Sequence, residues 1–142
     1  MDKYEQKMID DFSEMVRARL AEFFSSKDFV FDELKEFPNS GKWVMFYRSP
    51  RYKLAIYHFL RDGEINCLIG TVDAKNSDIE KEKVWSYLYG LLYSGKNPGI
   101  DELLARVPTV PLTDEEQLDR IAETLRLHFD ELVKLLPEQS AQ

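Results

Sequence analysis

Four strand-like runs lie between residues 29 and 72, and the segments between them are too short to hold a crossover helix. This spacing constrains the fold more than any other feature of the sequence. Parallel neighbours need a connection of a dozen or more residues, whereas antiparallel neighbours need only a turn. The first run, Phe29 to about Phe37, is diluted by Asp32, Glu33, Lys35 and Glu36, and Pro38-Asn39-Ser40-Gly41 closes it as a turn. Lys42 to Arg48 is rich in aromatic and β-favouring residues and stops at Ser49-Pro50. Arg51 to Leu60 alternates cleanly. Asp62-Gly63 is a hairpin signal, because a type I′ turn needs positive φ, and Glu64 to Val72 reads as the return strand. An antiparallel meander satisfies all four runs.

Helical patterns flank the meander. From Asp2 to about Phe24 the apolar residues recur every three or four positions, and Ser25-Ser26 ends the pattern. After the polar loop Asp73–Asp78, with Ser77 or Asp78 as cap, a second helix is expected from about Ile79 to Tyr93. A short helix over Ile100 to Arg106 and an extended connector through Pro108 and Pro111 follow. Thr113 and Glu116 form a capping box that opens the last helix, whose apolar stripe runs from Leu118 to Leu136. The chain therefore reads as one α+β domain over residues 1–142. A long helix (1–25) precedes a four-stranded antiparallel meander (29–72), a helical part of two or three helices (78–137) follows, and a tail (138–142) ends it. The helices are expected to pack mainly on one sheet face. Aromatics make up 13% of the 142 residues, enough for a sizeable core.

The residues that carry chemistry do not converge. Cys67 is the sole cysteine, which excludes an internal disulfide and a cysteine-based zinc cluster. It sits in the apolar run 65–69 and reads as a buried, inert thiol. His58 and His128 have no ligand spacing between them. Asp73, Asn76 and Asp78 lack the alternation and terminal Glu of a calcium loop. No phosphate-binding glycine loop and no nucleophile elbow occur, and the carboxylate pairs are adjacent in sequence, so they point apart. No catalytic, cofactor or metal role is expected, and the chain reads as a non-enzyme. The charged N-terminus has no apolar core of a secretory signal, and no apolar stretch is long enough to span a bilayer, so a cytoplasmic protein without membrane contact is expected.

Two surfaces remain for a partner. The net charge of −7 is uneven: residues 101–142 hold ten acidic and four basic residues. This argues against nucleic acid, which needs a concentrated basic face. Glu116, Asp119, Glu123 and Asp130 fall on one side of the last helix, where they would steer a basic partner. The second surface is the central hairpin. If Tyr52, Leu54 and Ile56 face inward, Arg51, Lys53, Tyr57 and Phe59 face outward. They are joined by either Trp43, Met45 and Tyr47 or Val44, Phe46 and Arg48. Aromatic and arginine residues on an open face are interface material. The competing expectation is that the middle helix or the Pro-rich connector covers them. An uncovered aromatic face, or the edge of the first strand, would also permit a homodimer.

The run Ser40 to Leu54, with Ser49-Pro50-Arg51-Tyr52-Lys53-Leu54 at its end, then Arg61-Asp62-Gly63-Glu64-Ile65 and the later Trp85-Ser86-Tyr87-Leu88, resembles small bacterial α+β proteins of the toxin-immunity type. The resemblance implies an inhibitor that neutralises a cognate toxin by stoichiometric binding, and the acidic last third suits a basic toxin domain. It carries over no functional residues. An adaptor, chaperone or regulatory subunit that docks on a larger protein is the first alternative. A small-ligand-binding domain or enzyme, with a pocket near His58, Tyr57 or Asp73, is the second.

Overall fold

A computed structural model describes residues 3–37, 41–59, 63–81, 83–96 and 112–137. The expected short helix over 100–106 and the connector after it lie outside the described residues, as does the tail. Helix α1 spans Lys3–Ser26. Strands β1 (Val30–Phe37), β2 (Lys42–Arg48), β3 (Tyr52–Phe59) and β4 (Ile65–Thr71) follow, with a 3₁₀ turn at Asn76–Asp78. A fifth strand, β5 (Trp85–Tyr87), leads directly into α2 (Leu88–Lys96). Helix α3 spans Asp114–Leu132. The strands form one antiparallel sheet in the order β1-β2-β3-β4-β5.

The meander is as expected, but the sheet has five strands where four were expected. Residues 79–93 do not form one helix. Their apolar residues recur at helical spacing, yet they belong to two cores. Ile79 and Trp85 are buried on one sheet face, while Leu88 and Leu91 are buried on the other. A single helix could not reach both. The chain instead crosses the sheet edge, and Trp85, Ser86 and Tyr87 pair with Gly70, Ile69 and Leu68 on the way. Tertiary pairing outweighs the local period here.

The β3–β4 hairpin also differs from its sequence signal. Phe59 N–H donates to Glu64 O at 2.8 Å, and Gly63 N–H donates to Phe59 O at 2.9 Å. Four residues thus separate the paired positions, where Asp62-Gly63 alone suggests two. Gly63 does take a positive φ of 75°; Asp62 lies outside the described residues.

Helices α1 and α3 lie side by side on one face. Phe12, Val16, Leu20 and Phe23 of α1 and Leu118, Ile121, Leu125 and Phe129 of α3 pack over Met45, Leu54, Ile56 and Ile69. Each such side chain contributes about 1.5–3 kcal/mol on full burial. The expected capping box is present: Glu116 N–H donates to Thr113 Oγ1 at 3.1 Å, and Thr113 N–H donates to Glu116 Oε1 at 3.0 Å. One turn further on, the Gln117 side chain accepts from Ile65 N–H at 2.8 Å and donates to Gly63 O at 3.0 Å, which pins α3 to the hairpin.

The opposite face carries a second, smaller core of Val44, Phe46, Ala55, Tyr57 and Leu68, covered by Ala74, Ile79 and Trp85. Gly70 permits this close approach. A Cβ there would meet Ala74 Cβ at 3.0 Å, and both Trp85 Cε3 and the Val84 carbonyl oxygen at 3.3 Å. Gly70→Ala is therefore expected to lose about 1–3 kcal/mol, the range for overpacking a filled core. Urea unfolding measures it. A variant as stable as the parent would mean that residues 74–85 do not rest on the sheet.

Candidate functional site

Most of the hairpin residues expected at an open surface are not on one. Tyr52, Leu54 and Ile56 face the helices as expected, and the neighbouring strand contributes Trp43, Met45 and Tyr47 to that same side. Trp43 and Tyr47 are therefore buried under helices, not exposed. Trp43 donates its ring N–H to Glu5 of α1 at 3.4 Å. Tyr47 stacks on Phe24 with ring centres 4.0 Å apart. Tyr57 and Lys53 do face the other side, but Tyr57 is buried by residues 74–87 and Lys53 is closed over by the same segment. Phe59 is half-buried beside this second core. Of the seven hairpin residues, Arg48 and Arg51 are exposed.

Lys53 shows how a strand lysine comes to be buried. Its Nζ donates to Ala74 O at 3.0 Å and to Asn76 Oδ1, and Asp32 Oδ2 stands 3.8 Å away. Asn76 Nδ2 in turn donates to Asp32 Oδ2 at 2.9 Å and Glu33 Oε1 at 3.0 Å. Asp32 sits at a register shift of β1 between Phe31 and Glu33. The extra residue turns both carboxylates toward the network. Asn76 of the oxygen-rich loop thus accepts from the Lys53 ammonium group. Among the described residues, no group of three or more His, Cys, Asp or Glu could hold a metal ion.

The acidic row of the last helix is largely engaged within the chain. Asp119 pairs with Arg19 at 2.7 Å and Asp130 with Lys27 at 2.8 Å, both across the α1–α3 seam. Glu116 is held in the capping box. Glu123 lines a groove of about 380 Å³ in the same seam, among Arg19, Lys27 and Arg126. The row therefore faces cations of its own chain. Exposed pairs of this kind contribute about 0–1 kcal/mol each.

The remaining titratable groups read as structural. Burial pushes the Cys67 thiol up, as befits an inert buried cysteine. His58 stacks on Phe12 with ring centres 5.1 Å apart, and its Nε2 lies 3.8 Å from Asp114 Oδ2. Burial, and next the neighbouring Tyr87 and Glu64, push the Tyr57 hydroxyl up; it hydrogen-bonds with both.

What stays open is one end of the sheet. Arg48, Ser49 and Pro50 of the β2–β3 turn, with Asp28, Val30 and Val72, line a shallow depression of about 420 Å³. Val30 is 56% exposed, Phe31 53% and Val72 41%. Arg51 is exposed in the same turn. Both arginines are among the residues expected at a surface from the sequence, whereas Val30 and Val72, apolar residues at the ends of strand runs, carry no sequence signal of exposure.

Tyr47 yields a measurable consequence. Among the described residues its buried hydroxyl has no hydrogen-bond partner. Burial pushes it up to about 12 from 10.0, against the opposing pull of Arg17. The unfolded chain ionises this group at the lower value, so its contribution is complete below pH 10 and is lost as pH rises toward about 12. Tyr47→Phe is expected to be neutral or up to about 1 kcal/mol stabilising at pH 7, and to resist alkaline unfolding better than the parent. Chemical denaturation at pH 7 and again between pH 10 and about 12 checks this. A loss above about 1 kcal/mol at pH 7 would show that the hydroxyl is bonded. No protein-family model matches the chain, and no curated protein or solved structure matches it either.

Proposed function

We propose that this chain is a protein-binding inhibitor of the immunity type, which neutralises a cognate toxin by stoichiometric binding. The observation that carries the reading is the end of the sheet where Arg48 and Arg51 stand exposed beside Val30 and Val72. Arginine side chains around an apolar centre are among the residues from which binding hot spots are built. Arg48 is 62% exposed in its side chain and only loosely paired, 3.9 Å from Asp32, so it can still serve a partner's carboxylate. The stretch that resembles immunity proteins, Ser40 to Leu54, runs into this end and includes both arginines.

The partner this surface fits carries carboxylates around an apolar contact. The α3 row was expected to hold a basic partner, but Asp119 and Asp130 are paired with Arg19 and Lys27, and Glu116 is held in the capping box. Inhibition then follows from occlusion: a bound immunity protein covers or jams the toxin's site and performs no chemistry of its own.

Co-expression with the product of the flanking gene tests the reading. The expected outcome is relief of toxicity and a 1:1 complex. The double variant Arg48→Glu, Arg51→Glu is expected to weaken that complex by about a hundredfold, since a hot-spot residue carries 2 kcal/mol or more. Glu123→Gln is expected to leave it unchanged. A neighbour that is neither toxic nor bound would overturn the proposal. So would a complex indifferent to the arginine reversals. A bound but non-toxic neighbour would favour an adaptor or regulatory subunit instead.

A further inference from the structure

Residues 74–87 do not seal the second face completely. Between them and the strands lies an open cavity of about 250 Å³. Its walls are aromatic: Phe37, Tyr57, Trp85 and Tyr87. The polar atoms of two of these are committed elsewhere. The Trp85 ring N–H donates to Lys75 O at 2.9 Å, and the Tyr57 hydroxyl hydrogen-bonds with Glu64 and Tyr87. What they offer the cavity is ring surface. The Tyr57 and Tyr87 rings stand nearly perpendicular, 82° apart with centres 6.4 Å apart, so they form a corner rather than a flat wall.

The cavity also has a charged end. Lys42 lines it, with Nζ 4.6 Å from the Tyr57 ring centre and 5.9 Å from that of Phe59. Among the described residues, no carboxylate forms an ion pair with this half-buried ammonium group. It stands over the π faces of Tyr57 and Phe59, which attract a cation without engaging its hydrogen-bond donors. Glu80 is the other charged group on the lining. An anion placed on Lys42 gains a charge-assisted hydrogen bond, whereas a second anionic group would meet the Glu80 carboxylate. The volume lies below the range for drug-sized ligands and admits one or two rings.

We propose that this cavity binds a small planar aromatic monocarboxylate, its ring in the corner formed by Trp85, Tyr57 and Tyr87 and its carboxylate on Lys42 Nζ. The site is independent of the proposed docking end. Lys42 pairs with Phe37 at one end of the β1–β2 ladder, and Arg48 pairs with Val30 at the other. Either proposal can fail without the other.

Titration of the full chain with benzoate, benzamide and benzylamine tests the site, read from the Trp85 indole N–H and nearby amides by NMR. Benzoate is expected to give saturable shifts. Benzamide should bind about tenfold more weakly, the factor supplied by roughly 1.4 kcal/mol of charge assistance. Benzylamine should not bind. Lys42→Met, which keeps the aliphatic length, is expected to erase the preference for benzoate over benzamide. Glu80→Gln is expected to tighten benzoate by a few-fold. No saturable shift up to about 10 mM benzoate would overturn the proposal. Equal binding of benzamide to the parent, or an unchanged preference in Lys42→Met, would overturn it as well.

Discussion

The ammonium group of Lys53 sets the terms for the second face of the sheet. It projects from a central strand onto the face that buries Phe46 and Ala55, directly across from Arg48. A buried charge is tolerable only when its donors are satisfied. The partners come from outside the sheet: a carbonyl at Ala74, an amide oxygen at Asn76, and the carboxylate of Asp32 at the β1 bulge. Satisfying Lys53 therefore draws residues 74–76 across the strands. Trp85 then completes the cover, because its ring fits over Gly70 and its N–H closes on Lys75 O. The same movement delivers residues 85–87 to the edge of β4, where they pair as β5.

This arrangement changes where a partner can dock. A sheet covered by helices on one face alone would leave Tyr57 and Lys53 in solvent. Covered on both faces, it turns them into core. The unoccupied surface moves to the end of the sheet, where the β2–β3 turn and the first residues of β1 meet no other layer. The exposed edge of β1 is guarded by its bulge and by charged residues, which work against casual strand pairing. Acidity is likewise redistributed. The sequence places most of the negative charge in the last third, but Asp119 answers Arg19 of α1, and Asp130 answers Lys27 just past its end. Among the described residues, no helix is long and apolar enough to cross a membrane.

Much of the fold is legible in the sequence because the signals are local. Strand β2 has the bounds its aromatic run suggests, and the Thr113 capping box forms as its spacing implies. The features that are not legible depend on distant partners. A lysine in an alternating strand reads as solvent-facing, and nothing near Lys53 in sequence reveals a carbonyl 21 residues away. The stripe from Val84 to Leu92 reads as one helix face, because periodicity cannot show that Trp85 and Leu88 enter different cores. The site was half visible for the same reason. Arg51 follows from strand alternation and Arg48 from one of the two faces open to its strand, and both stand in solvent at the Ser-Pro turn. Trp43, Tyr47 and Tyr57 follow from a pattern that says which residues share a face but not what covers it.

Residues 74–81 and 83–87 form a fixed layer on the sheet, held through Lys53 and Trp85. Native-state hydrogen exchange tests it most directly. The Trp85 amide, bonded to Lys81 O at 2.9 Å, and the amides of β4 beneath it should exchange only through the same global opening as β2 and β3. Fast local exchange of the Trp85 and neighbouring amides, with β2 and β3 still protected, would contradict the account and return the second face to solvent.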